Sequence, residues 1–510
     1  MRRDRKAVRL PGPAGRPTCD KDVVVVGGGI AGLAAATVLA ERGARVVLCE
    51  REDYLGGRVG GWETRLADGS RATMTRGFHA FFRQYYNLRS LLARVDPGGA
   101  GLVGLPDYPL WQASGHREGF AGLPRAVPWN AAGFLLRSPA FALRDLPSVD
   151  ARAALPLLDV SVPRTYHELD DLDAATYLQR IRFPPAVHAL AFEVFSRSFF
   201  AHPSRMSAAE LATMFHIYFL GSSEGLLFDV AADPFPQSMW NPLGRYLAGL
   251  GVSVRTGTPV LGVERGERFA VRLADSTVAA DAVVLAMDVG GLREVVGASD
   301  LGTPEWRADI ADLECAPPFL VSRYWLDRPV RADRPGFLGT SGYGELDNVS
   351  VLNHYEREAR EWASRTGGSV VELHGYALQS DVDPERLLEQ LHVVYPETRA
   401  ARVVDVRHEL RADCPLFAPG GFARRPAVRT PVEGLVLAGD LVRVDLPVAL
   451  MERAATTGFA AANHLLAGWG VSGTDLWSVP TTGRGPVLRT LARRFGRNPS
   501  TTRPAAVPST

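Results

Sequence analysis

Lysine is almost absent from this chain. Only Lys6 and Lys21 occur in 510 residues, so 55 of the 57 basic side chains are arginine. Together with abundant alanine and proline, this bias reads as GC-rich coding composition and not as a binding surface. The net charge is +1, and no basic cluster interleaved with aromatics appears, which argues against a nucleic-acid partner. Cysteine is scarce as well. Cys19, Cys49, Cys315 and Cys414 have neither disulfide-framework nor metal-ligand spacing, so a reducing compartment and no metal centre are expected. No window approaches the ~20 apolar residues of a membrane span. The basic start, residues 1–9, lacks the apolar segment that a signal peptide needs behind it. A protein of the cytosolic side is therefore expected. What is present is ordinary globular material, 46% hydrophobic and 9% aromatic, long enough for two or three domains.

Two pieces of one binding site stand at opposite ends. Asp22 and four valines lead into Gly27, Gly29 and Gly32, spaced as G-x-G-x-x-G. The valine run is the pattern of a parallel strand buried on both faces. Gly27 permits the tight turn, Gly29 lets backbone approach a pyrophosphate, and Gly32 lets the next helix pack closely. The N-terminus of that helix favours negative charge. A second strand over 46–49 ends in Glu50, where a carboxylate can accept from a ribose diol. A glycine-rich turn without a ligand is the alternative. Far along the chain, Gly434 opens a short strand that ends in Gly439 and Asp440, followed by a helical pattern from Met451 to Gly458. FAD is long enough to need contacts from both chain ends, and this pairing points to it.

Residues 51–62 carry Gly56, Gly57, Arg58, Gly60, Gly61 and Trp62. They resemble the signature that follows the second strand in FAD-dependent amine oxidases, protoporphyrinogen oxidases and carotenoid desaturases. The resemblance implies that Gly57 gives close backbone approach to FAD and that Arg58 offers its planar fork to the diphosphate. Residues 252–264 and 280–287 resemble the family's strand that contacts adenine, near Val260, and the strand that re-enters the nucleotide fold. The implied fold class is α/β: a Rossmann-like FAD domain of the glutathione-reductase type, interleaved with a substrate domain of antiparallel sheet plus helices. The FAD domain is expected over 21–90, 243–300 and 430–470, and the substrate domain over 91–242 and 301–429. A disordered tail is expected at 1–20, and a mostly disordered one at 479–510 with one basic amphipathic stretch over 486–495.

Residues 76–88 resemble the segment that carotenoid desaturases place under the flavin, and 438–452 resemble their flavin-facing loop and helix, with Met451 at the cofactor. Within that group the likeness is greatest to bacterial β-carotene desaturase/methyltransferases of the isorenieratene-synthase type, on residues 60–62, 77–87 and 234–243. That implies a ring-aromatising enzyme that removes hydrogens from a β-ionone ring and shifts a methyl group within the substrate. Flavin accepts hydride, so no Ser/His/Asp nucleophile or metal is required, and none is apparent. Phe78, Phe81, Phe82, Tyr85 and Tyr86 are candidates to face a ring cation. His79, Asp445 and Glu452 are candidates for the base. Each also reads as structural: a hydrogen-bonder, a loop cap and an arginine partner. Neither an S-adenosylmethionine fingerprint nor an NAD(P)H site is visible, so a quinone or oxygen is expected to reoxidise the flavin. Cys414 lies in a linker that carries no flavin attachment in that group, so FAD is expected to be non-covalent. A carotenoid substrate implies peripheral docking on a membrane surface, with Trp129, Phe134 and Leu136 in 127–141 and the aromatic run in 199–220 as candidates. The same apolar helices read equally as chamber walls. Rival readings are another phytoene-type desaturase or isomerase, an amine oxidase, and a prenyl-protein escort that binds without catalysis.

Overall fold

The computed structural model describes residues 3–127, 129–138, 147, 149–183, 199–378 and 382–496. The valine strand Asp22–Val26 lies at the centre of a five-stranded parallel sheet. Its order is Ser253–Arg255, Arg45–Cys49, Asp22–Val26, Ala282–Leu285, Leu435–Leu437. Asp22–Val26, Ala282–Leu285 and Leu435–Leu437 are buried almost throughout and rich in valine and leucine, as double coverage requires, whereas the edge strand Ser253–Arg255 is not buried. The helix Ile30–Glu41 is buried nearly all round. It packs between the sheet and the long helix Leu450–Gly468, and small residues set the distance: a Cβ on Gly458 would lie 2.3 Å from the Ala31 carbonyl oxygen. The first and last thirds of the chain thus meet at glycine and alanine.

The second layer is a seven-stranded sheet ordered Val403–Arg411, Phe319–Leu326, Ser369–Gly375, Asn348–Val351, Phe337–Ser341, Leu110–Gln112, Arg117–Glu118. Its pairings are antiparallel except Phe337–Ser341 with Leu110–Gln112. A small sheet, Phe81–Phe82, Phe228–Ala231 and Leu102–Gly104, joins the layers. Residues 91–242 therefore supply strands to the second layer as well as helices. Its helical part includes Ala208–Phe215 and the turn His216–Leu220, which continues it.

The tails differ from expectation. Val8–Leu10 pairs antiparallel with Leu476–Ser478, and Arg16 bridges to Val471. Arg42 donates to the carbonyls of Ser472 and Gly473 at 3.0 and 2.9 Å. Proline, glycine and charge in 1–20 suggest disorder, but the segment's backbone is satisfied by residues 470–478, just before the second tail, and composition does not report such pairing. The basic stretch in the second tail forms the helix Pro486–Phe495. The remainder of that tail, residues 497–510, lies outside the described residues.

Candidate active site

The carboxyl ends of the parallel strands open into a cavity of about 400 Å³, within the range of cofactor and ligand sites. Gly27, Gly29, Glu50, Gly57, Arg58, Val260, Gly439, Asp440 and Met451 all line it. Gly57 has φ +57°, and a Cβ there would sit 3.1 Å from Gly29 Cα. Two glycine motifs therefore meet backbone to backbone, tied by Gly56 N–H donating to Gly28 O at 2.8 Å. Trp240 holds that arrangement: a Cβ on Gly56 would strike its ring at 2.4 Å, and its Nε1 donates to Val59 O at 2.6 Å. Gly29 itself faces open space, with nothing nearer to an added Cβ than Gly57 Cα at 3.9 Å. A chain of small residues beside a helix N-terminus is a cradle for phosphate.

Glu50 accepts from Gly28 N at 2.6 Å and Glu52 N at 2.9 Å. Burial raises its pKa despite those donors. Each carboxylate oxygen keeps lone-pair capacity for a hydroxyl. At the other end of the cradle, Arg58 pairs with Asp440 at 2.5 Å. Burial works against the guanidinium charge, but Asp440 outweighs it and holds Arg58 well above its ordinary pKa. Cys414 stands beside this pair, and burial pushes its thiol up to about 12. The helix Leu450–Gly468 starts at the cavity with Leu450 at φ +53°, a strained conformation for a branched residue. These elements fit FAD: an acceptor for a ribose diol, a glycine cradle for the diphosphate, and a fixed cation–carboxylate pair beyond it.

Beyond Arg58 the cavity continues into an aromatic chamber. Phe78 stacks on Phe337 with centroids 4.2 Å apart, and Phe228 meets Phe78 edge-on at 5.9 Å. Phe82 lies against Tyr218 at 4.8 Å and Tyr85 at 5.5 Å. Such faces suit an apolar ring and any positive charge that develops on it. His79 lines the chamber. Its Nδ1 lies 2.9 Å from Gly77 O, so Nδ1 is the protonated nitrogen, and burial brings the imidazole down to about 4. On the opposite wall, the second sheet contributes Asn348, His374 and Tyr376. Behind His374 is Glu372. Burial would raise its carboxyl, yet Arg323 and the His374 hydrogen bond hold it at about 2.

Residues 30–466 match the family of flavin containing amine oxidoreductases. The chain belongs to that family. It is an FAD-dependent oxidoreductase. It is 61% identical over 500 residues to the carotenoid phi-ring synthase of Streptomyces griseus, covering 96% of this chain and 97% of that protein. The carotenoid phi-ring synthase of Chlorobaculum tepidum is 29% identical, with 91% of each covered. The 15-cis-phytoene desaturase of Narcissus pseudonarcissus is 24% identical, over 88% of this chain and 80% of that one. In fold, the chain resembles putrescine oxidase bound to putrescine (TM-score 0.65, 17% identity) and cyclohexylamine oxidase from Brevibacterium oxydans (TM-score 0.62, 17% identity). Each covers 88% of this chain and is itself covered in full. At that identity the likeness speaks for fold alone.

Several candidate residues of this flavoenzyme lie elsewhere than expected. Asp445 is exposed and does not line the cavity. Glu452 is buried away from it and pairs with no arginine; it accepts from Asn87 N, Asn87 Nδ2 and Leu88 N, which anchors the helix after the chamber segment. Phe81 and Tyr86 are core side chains outside the lining: Phe81 points to the opposite side of the two-residue strand from Phe82, and Tyr86 opens the helix Tyr86–Leu92. Gly32 packs rather than lines: a Cβ there would lie 1.9 Å from Gly27 O. Of the docking residues, Phe134 is buried against Phe120, while Trp129 and Leu136 are 66% and 72% exposed. Phe199 and residues 217–220 are core, and Phe141 lies outside the described residues. Tyr108, Tyr218, Phe228, Phe337, His374 and Tyr376 escape sequence reasoning. The alternation Glu372, His374, Tyr376 in an apolar strand pattern is the one local signal that could have marked the last two.

Proposed function

We propose that this flavoenzyme desaturates and aromatises the β-ionone ring of β-carotene, with one methyl group migrating within the substrate. The observation that carries this reading is the near-full-length 61% identity to a carotenoid phi-ring synthase. An apolar aromatic chamber joined directly to the nucleotide cleft is the shape such a substrate needs. When bound, FAD supplies hydride acceptance at its flavin N5. Glu50, Gly29, Gly57, Arg58, Val260, Gly439, Asp440 and Met451 hold it, the first toward the ribose and Arg58 near the diphosphate. Phe78, Phe82 and Tyr85 present ring faces to the substrate and keep water from an electron-poor ring. Co-expression with a β-carotene pathway tests the proposal: aromatic-ring pigments are expected, and unchanged β-carotene would refute it. Open-chain desaturation products would favour the phytoene-type alternative.

The flavin is held without a covalent bond, since Cys414 is a neutral thiol near pH 7 and thiolate is the reactive form. Acid precipitation is expected to leave the yellow chromophore in the supernatant. A quinone or oxygen reoxidises the enzyme. Among the described residues no helix is long and apolar enough to cross a membrane. A carotenoid does not pass freely through water, so its delivery is by peripheral docking on a bilayer surface. Trp129 and Leu136 share one helix face. On Pro486–Phe495, Val487, Leu491 and Phe495 form a second exposed stripe with Arg494 beside Phe495, the pattern of an interfacial helix. Liposome flotation is expected for the wild type and lost in a variant carrying serine at those five positions.

A further inference from the structure

Cross-strand geometry in the seven-stranded sheet builds a proton path that ends in the chamber. Glu372, His374 and Tyr376 alternate along one strand and its exit, so they share a face. Register sets Arg323 opposite Glu372 and Asn348 opposite His374. Glu372 Oε2 accepts from Arg323 Nε at 2.9 Å and Nη2 at 2.6 Å, and Oε1 lies 2.9 Å from His374 Nε2. His374 Nδ1 lies 2.9 Å from Tyr376 Oη, to which Asn348 Nδ2 donates at 2.9 Å. An ionised carboxylate only accepts. Nε2 therefore carries the imidazole proton, Nδ1 accepts, and the Tyr376 hydroxyl donates to it. The Phe78 N–H, at 3.3 Å from Nε2, is the longer contact to that atom.

We propose that Tyr376 is the base that collects the ring proton, relaying its own phenolic proton to His374, with Glu372 as the positioning residue. This rests on the aromatisation reading above. A ring C–H bond breaks and its electron pair closes the new ring double bond. The proton joins Tyr376 Oη, whose own proton passes to His374 Nδ1. The imidazolium so formed sits between the phenol and the Glu372 carboxylate. The step is redox-neutral, because the hydride lost earlier is taken by FAD. His79 is the poorer candidate, since its ring donates to a neutral carbonyl and has no carboxylate behind it. The titratable groups near the path include Asp347, which accepts from Tyr376 N at 2.6 Å, Glu358 and Glu356, which face Arg323, with burial pushing Glu356 up to about 8, and Tyr355 and His79, which face Glu372.

Two measurements judge the path. With β-carotene in vesicles, Tyr376→Phe and His374→Gln holoenzymes should still bleach the flavin anaerobically within about threefold of wild type; arene is then read with a quinone acceptor added, because one ring gives up two hydrides and one flavin holds only one. Arene formation should fall at least ~100-fold, the usual scale of a lost general base. Glu372→Gln should lose about tenfold with the same split. Arene formation by Tyr376→Phe within threefold of wild type overturns the proposal, and so does joint loss of bleaching and arene, which would assign Tyr376 to binding. Independently of substrate, ¹⁵N-histidine NMR should show a His374 imidazole protonated at Nε2, distinct from that of His216, whose Nε2 faces the Pro480 carbonyl. That signal should be absent in His374→Gln and should shift at Nδ1 in Tyr376→Phe. Protonation at Nδ1 would reverse the path and refute it. If wild type makes no arene, the aromatisation reading fails, while the NMR result still decides the relay.

Discussion

The five-stranded parallel sheet and the seven-stranded antiparallel sheet both bring polar groups to one cavity, from opposite sides. In the parallel sheet the groups come from strand ends: backbone N–H at the glycine turns, Glu50 just after a strand, Asp440 just after another. Each position follows from a short stretch of chain. In the antiparallel sheet, Arg323, Asn348 and Glu372 to Tyr376 lie within or against strands. They meet because three strands within residues 319–376 pair in one register. A strand-end group keeps its place as long as its own turn forms; a register-built site depends on every strand that sets it.

Breaking the buried pair of the antiparallel sheet should cost most. Arg323 and Glu372 are 3% and 1% exposed as side chains, so Arg323→Met, which strands the carboxylate, is expected to cost about 3–5 kcal/mol. The double variant Arg323→Met/Glu372→Leu should recover much of it, read from denaturation midpoints. In the parallel sheet, two glycines three residues apart should behave differently. Gly32→Ala forces a Cβ against Gly27 O and should destabilise by about 1–3 kcal/mol. Gly29→Val should melt within a few degrees of wild type yet purify with much less flavin, as should Asp440→Ala. Full flavin occupancy in both would sink the cradle assignment.

A smaller effect is expected where the halves join. Burial pushes Glu452 up to about 8, well above its unfolded value. The folded state therefore binds this proton more tightly, and the stability it contributes is complete below about pH 4.5 and fades as pH climbs through 8. The melting temperature should drop between pH 6 and 9, and Glu452→Gln should flatten that drop. Smallest of all, exposed Asp445→Ala should alter turnover less than twofold and stability by no more than about 0.5 kcal/mol.

The contrast also explains what was legible beforehand. Gly27, Gly29, Arg58 and Asp440 could be placed from sequence because steric and electrostatic demands act over a few residues. Phe78, Phe82, Tyr85 and His79 were legible through resemblance, although Phe81 and Tyr86 on the same segment face the core. Asp445 and Glu452 misled because a carboxylate near a flavin motif carries no mark of direction, and helix rotation turned one into the core. Tyr376 stayed hidden because its importance arises from Asn348 and Arg323 across the register, although its alternation with Glu372 and His374 was readable. The tail at 1–20 was misjudged for the same reason, since its partner strand is more than 460 residues away.

That last separation has a consequence for how the protein is made. The central strand Asp22–Val26 leaves the ribosome early, while its sheet is completed only by Leu435–Leu437 and its N-terminal neighbour is paired only by Leu476–Ser478. At ~5–20 residues per second, the interval is on the order of tens of seconds. Throughout it, a strand of four valines has no finished sheet to join. The two ends of the flavin cradle, Gly29 and Asp440, can meet only after residue 440 has been made.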